Sequence, residues 1–177
     1  MSKDGKLFAL DKDIEAVRFA KENFKDNNFS IQHAGFENLD SINISKHVDG
    51  ILFDFGLWST HYDDPSRGFS FNEPGPLDMR IDIRQPNKLE DLLQTIDAET
   101  LANIIYQYGD EKESRKISHA IIDFYKDGKI LNTFDLAEVI KKAKTRFPKK
   151  IHPATRTFQA LRTVSYTHLT LPTILRV

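Results

Sequence analysis

The residues best suited to chemistry follow a short apolar run in the first third of the chain. Residues 50–53 (Gly-Ile-Leu-Phe) end at Asp54, and their β-branched and aromatic side chains predict a buried strand. The loop after this run, up to residue 82, is unusually rich in polar and aromatic side chains. These side chains include Trp58, Ser59, His61, Tyr62, Asp63, Asp64, Arg67 and Asp78. Because ligands bind beyond the carboxyl ends of strands in open α/β sheets, we predict a binding or catalytic site here rather than a long surface connection.

The elements that would position this loop begin near the N-terminus. Residues 6–10 predict a strand ending at Asp11, Asp13 is placed to cap a helix reaching about Phe24, and residues 29–33 alternate like a second strand. Strands and a helix in this order, with acids at two strand ends, are typical of a nucleotide-binding α/β sheet. The carboxylate of Asp11 stands where such folds bind the hydroxyls of a ribose. It could equally serve only to help Asp13 start the helix.

The character of the chain changes after residue 82. Residues 87–95, 98–108, 111–126 and 133–144 carry apolar side chains at three- and four-residue spacing, which predicts four helices. Asp97 is a predicted cap of the second helix, and Asp110 with Glu113 resembles a capping box for the third. We interpret these helices as a compact unit inserted into the sheet domain; the alternative is that they cover the sheet.

A basic segment follows the helices. Residues 147–163 contain two prolines before a helix that should start near Ala154, and the helical spacing points Arg156 away from the apolar Phe158 and Leu161. A basic helix of this kind can hold phosphate groups, or it can simply be a solvated face.

Bulk properties exclude several classes of protein. The 177 residues carry a net charge of −1 and no cysteine, so disulfides, thiolate metal sites and a cysteine nucleophile are excluded, and the histidines lack metal-ligand spacing. No apolar segment reaches membrane-spanning length and no signal peptide is evident, so we expect a cytoplasmic protein without a membrane or a metal. From Ser165 onward the sequence resembles a translated sequencing-library adaptor, and we expect a non-native tail.

Four motifs carry a resemblance to a known family. They are RGFSF at residues 67–71, GPLDMRID at residues 75–82, YGDEKESRKISHAI at residues 108–121 and HPATRTFQALR at residues 152–162. With these motifs in this order, the chain resembles the RsmH (MraW) family of ribosomal small-subunit methyltransferases. The resemblance implies an α/β class I (Rossmann-like) S-adenosyl-L-methionine methyltransferase core with an inserted all-helical subdomain. It also implies N4-methylation of a cytidine in the decoding region of 16S rRNA within the small ribosomal subunit.

The resemblance assigns roles residue by residue. It implies that Asp11 binds the cofactor ribose, that Phe36 lines the adenine, and that Asp54 contacts the cofactor. His61 stands where members usually carry Gln and is the fourth predicted cofactor contact, and Trp58 replaces a small Ser. We further expect Asp54 to be catalytic by accepting a hydrogen bond from the target amino group. The predicted RNA-phosphate contacts are Arg67, Arg80, Arg156 and Arg162.

The resemblance also implies a division of the chain. Residues 1–84 would be an incomplete part of the methyltransferase core, residues 85–146 the inserted helical domain, residues 147–164 a return to the core, and residues 165–177 the non-native tail. The family's Gly-rich first motif and its later strands find no counterpart, so we expect a truncated core and an inactive or impaired fragment. The alternatives are a methyltransferase acting on another RNA or a small molecule, and a non-catalytic RNA- or protein-binding module.

Overall fold

The computed structural model describes residues 5–42, 47–54, 56–146 and 150–167. The chain separates into two compact units, one formed by residues 1–56 with 81–84 and the other by residues 57–80 with 85–177. No helix in these described ranges is long and apolar enough to cross a membrane.

The first unit contains a parallel strand–helix–strand crossover. Strand β1 (Leu7–Asp11) is followed by helix α1 (Ile14–Asn23) and strand β2 (Phe29–His33), and a short 3₁₀ turn spans Phe36–Ser41. The two strands pair in parallel along their whole length. The side chain of Asp13 accepts a hydrogen bond from the Glu15 amide at 3.0 Å and thereby caps α1. The predictions for both strands and for this helix are therefore confirmed.

The prediction of a third, buried strand before Asp54 is wrong. Residues 51–54 form no regular structure, and Ile51, Leu52 and Phe53 are 69%, 93% and 50% exposed. The sheet of the described residues consists of β1 and β2 alone, so residues 51–54 form no strand pairing in it. The ring of Phe53 packs on that of Phe36, but Leu52 stays almost fully exposed.

The second unit is helical. Helix α2 (Ser59–Asp63) and a 3₁₀ turn (Pro65–Arg67) precede α3 (Leu89–Thr95), α4 (Ala98–Gly109), α5 (Ser114–Lys126), α6 (Thr133–Ala143) and α7 (Thr155–Thr167). The four helices predicted after residue 82 and the basic helix near Ala154 are thus confirmed. Asp97 caps α4 as expected, since its carboxylate accepts from the Glu99 and Thr100 amides.

The predicted capping box at the start of α5 is wrong. Glu113 is the residue before the helix, and its side chain makes no capping hydrogen bond to the first turn. Instead the carboxylate accepts hydrogen bonds from the backbone amides of Thr145 and Arg146. A tertiary contact with the segment after α6 therefore replaces the local cap.

Helices α4 and α7 meet at an unusually close crossing. A side chain at Gly109 would place its Cβ 2.4 Å from the carbonyl oxygen of Arg156. Arg156 and Gln159 in turn donate to the carbonyls of Asp110 and Tyr108 at 2.8 and 3.3 Å, which satisfies acceptors at the C-terminal end of α4. The helix that carries the predicted phosphate contacts is thereby built into the helical core.

The domain boundaries expected from the sequence stay predictions. The second unit includes residues 147–164 together with the helices, whereas the sequence assigned these residues to a return of the methyltransferase core. Of the expected tail, residues 165–167 continue α7, and residues 168–177 lie outside the described residues.

Candidate functional site

The first unit gathers an acid, a cation and an aromatic ring near the carboxyl ends of its strands. Asp11 ends β1, is half-buried, and accepts a hydrogen bond from the Asp13 amide at 2.7 Å through Oδ1. The neighbouring Lys12 extends its Nζ to 5.7 Å from the ring centre of Phe36 and to 2.8 Å from Oε1 of Glu37. This cation–π contact brings the residue after β1 against the turn that follows β2.

The aromatic ring of this cluster is accessible. Phe36 is 44% exposed, and it meets Phe53 edge to face with ring centres 6.2 Å apart and planes at 86°. Phe53 immediately precedes the exposed Asp54. Three of the four predicted cofactor residues, Asp11, Phe36 and Asp54, are therefore found in one unit, with Lys12 and Phe53 as contacts that the sequence did not single out.

A second network fixes the end of β2. The guanidinium of Arg84 donates two hydrogen bonds to the Asp82 carboxylate, at 2.9 Å (Nε to Oδ1) and 2.7 Å (Nη2 to Oδ2). Hydrogen bonding from Arg84 lowers the pKa of the Asp82 carboxyl, and Asp82 lies 3.8 Å from Nε2 of His33. Nε2 of His33 also lies 2.9 Å from the carbonyl oxygen of Lys12. Sequence reasoning missed this network, although the Asp-x-Arg spacing of residues 82–84 was a visible signal for a bidentate pair.

In the second unit, part of the predicted site loop packs into the interior. Phe69 and Met79 are fully buried, and the Met79 amide donates to the Arg67 carbonyl at 3.2 Å. Gly68 adopts φ +69°, and a Cβ there would lie 2.0 Å from the carbonyl oxygen of Pro76. Only glycine tolerates both the left-handed backbone and the close approach. Many of the motif residues between positions 67 and 80 therefore hold the loop in one conformation.

Two of the predicted phosphate-binding arginines take part in this loop. Arg80 binds Asp78 with Nε and Nη2 at 2.7 and 2.8 Å, and its Nη1 donates to the carbonyl of Gln85 at 2.6 Å. Burial alone would raise the pKa of the Asp78 carboxyl, but the hydrogen bonds from Arg80 outweigh it and hold that pKa below its usual value. Arg67 donates from Nη2 to the Arg80 carbonyl at 3.3 Å.

The other two arginines differ in their surroundings. The guanidinium of Arg162 donates to the carbonyl of the buried Phe69 at 2.9 Å and lies 5.1 Å above the ring of Tyr62. Its burial lowers its pKa, although an arginine stays charged at neutral pH. Arg156 is more exposed and donates to Asp110 at the end of α4. The side chain of Arg156 is 40% exposed, and the predicted RNA role of all four arginines stays a prediction.

His61, the fourth predicted cofactor residue, is 5% exposed. Its Nδ1 accepts a hydrogen bond from the Trp58 amide at 3.0 Å, which caps the start of α2, and its ring packs 5.2 Å from that of Phe69. Trp58 itself is 40% exposed. The histidine therefore shapes the segment that presents this tryptophan.

A parallel strand–helix–strand unit with an acid at its first strand end, together with an all-helical unit, defines a mixed α/β protein. The model of the MraW methylase family matches residues 1–170, and the chain belongs to this family. Its fold is accordingly that of an S-adenosylmethionine methyltransferase, mixed α/β with a small parallel sheet and several helices.

Similar curated proteins agree with this assignment. One from Hydrogenovibrio crunogenus is 42% identical over 92% of this chain and 53% of its own length. Another from Legionella pneumophila is 41% identical over 92% of this chain and 54% of its own length. Both are named ribosomal RNA small subunit methyltransferase H. The chain thus spans about half the length of the curated relatives it matches.

Proposed function

We propose that this chain forms part of an S-adenosylmethionine-dependent methyltransferase that acts on the RNA of the small ribosomal subunit. The observation that carries the proposal is the strand-end cluster of Asp11, Lys12 and Phe36 in a member of the MraW methylase family. The names of the relatives supply the substrate class. The particular target is the N4 amino group of a cytidine in the decoding region of 16S rRNA, in a protein acting in the cytoplasm.

The donor set of the first unit fits the adenosine half of the cofactor. In the half-buried carboxylate of Asp11, Oδ1 accepts a hydrogen bond from the Asp13 amide, and Oδ2 has no hydrogen bond to the described residues. A carboxylate in this position can accept hydrogen bonds from the two hydroxyls of a ribose. The exposed surface of Phe36 offers an apolar face for the adenine ring. Asp11 and Phe36 would therefore hold the cofactor, and His61 is proposed as a further contact.

Catalysis of this methyl transfer depends mainly on positioning the target base and the cofactor. When bound, S-adenosylmethionine supplies an electrophilic methyl group on a sulfonium. The amino nitrogen of cytosine is a weak nucleophile because its lone pair is delocalised into the ring. Asp54 accepts a hydrogen bond from this amino group, which favours a pyramidal nitrogen whose lone pair is directed at the methyl group. Orientation and electrostatics supply most of the rate gain, and no strong base is needed before attack.

The target base must leave its stacked position to reach the cofactor. The partly exposed rings of Trp58 and Tyr62 are proposed to stack on it. Of the four arginines predicted to contact phosphates, Arg67 and Arg156 complete the proposal, because Arg80 and Arg162 already bind acceptors of their own protein. Because residues 51–54 are exposed and outside the sheet, we expect the isolated chain to bind cofactor weakly and to turn over slowly.

Calorimetric titration with S-adenosylmethionine tests the cofactor site directly. Asp11→Asn should weaken binding, whereas Asp40→Asn, which removes the same charge from an exposed position in the same unit, should not. Equal affinities of the two variants would refute the assignment of Asp11. Asp54→Asn should leave cofactor binding nearly unchanged if the main role of Asp54 is to orient the target amino group.

Transfer of labelled methyl groups tests the substrate. Unmethylated small ribosomal subunits should be labelled and free nucleosides should not, and digestion of the RNA should return label as N4-methylcytidine. Labelling of nucleosides alone would support a small-molecule substrate. Cofactor binding without any acceptor would support the binding-module alternative.

A further inference from the structure

A groove in the second unit has a volume of about 610 Å³, and none of the predicted site residues lines it. It is lined by one side of α4, by the first turn of α5 and by the segment after α6. Its principal side chains are Tyr106, Lys112, Glu113, Arg115, Lys116 and Arg146. Four of these side chains are cations and one is an anion, so the groove is basic in a chain whose net charge is −1.

The cations of this groove are available to a ligand. Lys112, Arg115 and Arg146 are exposed, and their side chains make no hydrogen bond or ion pair to any residue that the structure describes. Lys116 makes one long contact of 3.9 Å with Glu113. These cations differ from Arg80, because three nitrogens of the Arg80 side chain already donate hydrogen bonds to acceptors of its own protein. A phosphate approaching the groove therefore displaces no structural ion pair of comparable quality.

The single acid in the groove is hydrogen-bonded to neighbouring residues of the groove itself. The Glu113 carboxylate accepts from the side-chain hydroxyl of Thr145 and from the Thr145 and Arg146 amides. These hydrogen bonds, led by that of the Thr145 hydroxyl, lower the pKa of Glu113 to about 2. Glu113 thus ties residues 145–146 to the start of α5 and fixes the position of Arg146. The first turn of α5 adds the partial positive charge of a helix N-terminus.

An aromatic ring accompanies the charge. Tyr106 on α4 is 59% exposed and lines the groove beside the exposed amide side chain of Asn103. A basic groove that tracks a backbone, with an aromatic face on which a base can stack, is the arrangement by which proteins hold single-stranded nucleic acid. An acidic peptide would use the cations but would leave the ring without a role.

We propose that this α4–α5 groove binds a single-stranded segment of the substrate RNA, with Arg115, Arg146 and Lys112 on phosphates and Tyr106 stacked on a base. The proposal rests on the proposed RNA-directed function and adds a contact surface that is distinct from the four arginines assigned from the resemblance. It assigns an RNA contact to α4, to the start of α5 and to the segment after α6, for which the sequence analysis predicted only helices.

The test is fluorescence anisotropy with the full 177-residue chain and a labelled oligoribonucleotide of about twelve nucleotides, a length that covers one such site. The variant Arg115→Gln/Arg146→Gln is compared with Lys126→Gln/Lys142→Gln. The control removes the same two charges from exposed positions at the ends of α5 and α6, outside the groove. The groove variant should lose at least tenfold in affinity at low salt, and the slope of log K against log[salt] should fall by about 1.4.

Stacking is tested separately. Tyr106→Leu should weaken binding of the single strand about tenfold, Tyr106→Phe should bind like the unaltered chain, and neither should alter binding of heparin. Circular dichroism confirms that each variant is folded.

The outcomes separate this proposal from the function on which it rests. Equal affinity of the groove variant and the control variant overturns the groove and leaves the proposed function standing. No effect of Tyr106→Leu, or an equal loss for heparin, overturns single-stranded RNA as the ligand. If the unaltered chain binds no RNA at any salt concentration, both proposals fall, whereas cofactor binding by calorimetry still reports on the methyltransferase site alone.

Discussion

Replacing Arg162 with methionine is the sharpest test of what the structure says about the predicted RNA contacts. Methionine keeps the length and apolar stem of the side chain but removes the guanidinium. The change deletes the 2.9 Å hydrogen bond to the carbonyl of the buried Phe69 and the cation–π contact with Tyr62 at 5.1 Å. Leaving a buried carbonyl unpaired costs about 1–3 kcal/mol, and the lost cation–π contact costs roughly another 1 kcal/mol. We therefore expect a loss of about 2–4 kcal/mol in the free energy of unfolding.

Urea unfolding followed by circular dichroism measures this loss. The matched control is Arg156→Met, the same substitution six residues earlier on α7. Arg156 is more exposed and its hydrogen bond to Asp110 lies near the surface, so we expect a cost of about 1 kcal/mol or less. Because domains are stable by only about 5–15 kcal/mol, the difference between the two variants should be readily visible.

The result that would refute the reasoning concerns both stability and binding. If Arg162→Met unfolds like the unaltered protein, the guanidinium contributes nothing to the helical unit. If it also lowers the slope of log K against log[salt] for RNA binding by about 0.7, Arg162 is a phosphate contact, as the resemblance implies. The structure favours the opposite pattern, with reduced stability and an unchanged salt slope in the folded variant.

Three further predictions concern the helical unit. Lys144→Met should destabilise by about 3–5 kcal/mol in urea unfolding, because it leaves the Glu111 carboxylate buried without its cation. Adding Glu111→Leu should restore most of the loss. Gly109→Ala should lower the thermal midpoint, because its Cβ would lie 2.4 Å from a backbone oxygen of α7, whereas Gly56→Ala, in open space, should not. Glu113→Gln should flatten the fall in unfolding free energy between about pH 4.5 and pH 2. The folded-state pKa is depressed, so the unfolded chain binds more protons in this window and acid removes the stabilisation.

Each of these predictions has a result that contradicts it. Additive losses for Lys144→Met and Glu111→Leu would show that the two buried side chains do not act as a pair. Equal thermal midpoints for Gly109→Ala and Gly56→Ala would mean that α4 and α7 can move apart without a loss of stability. An unchanged acid slope for Glu113→Gln would leave that role to the other carboxyls whose pKa is lowered, such as Asp78 and Asp82.

Local signals in the sequence were sufficient for the elements. Helix α1 and its Asp13 cap, strands β1 and β2, and the helices after residue 82 follow from periodicity and capping chemistry, which act within a few residues. The motifs were sufficient for the family, which the match over residues 1–170 confirms. The roles of Asp11, Phe36 and Asp54 stay predictions, although the structure finds all three in one unit.

The features that failed or were missed depend on distant partners. The apolar run at residues 51–53 has the composition of a buried strand, but burial requires a neighbouring strand to pair with. The capping box expected at α5 lost Glu113 to a segment more than thirty residues away in the chain.

The sequence by itself determined the helices, the crossover and the family, because short-range sterics, capping and motif order are written in adjacent residues. Only the tertiary structure decided which cationic side chains already bind acceptors of the protein. Arg80 and Arg162 bind acceptors of their own protein, while Arg115 and Arg146, which look no different in the sequence, remain exposed along a groove. The physical reason is that a guanidinium binds whatever carbonyl or carboxylate the fold brings within about 3 Å, and those partners come from other segments of the chain.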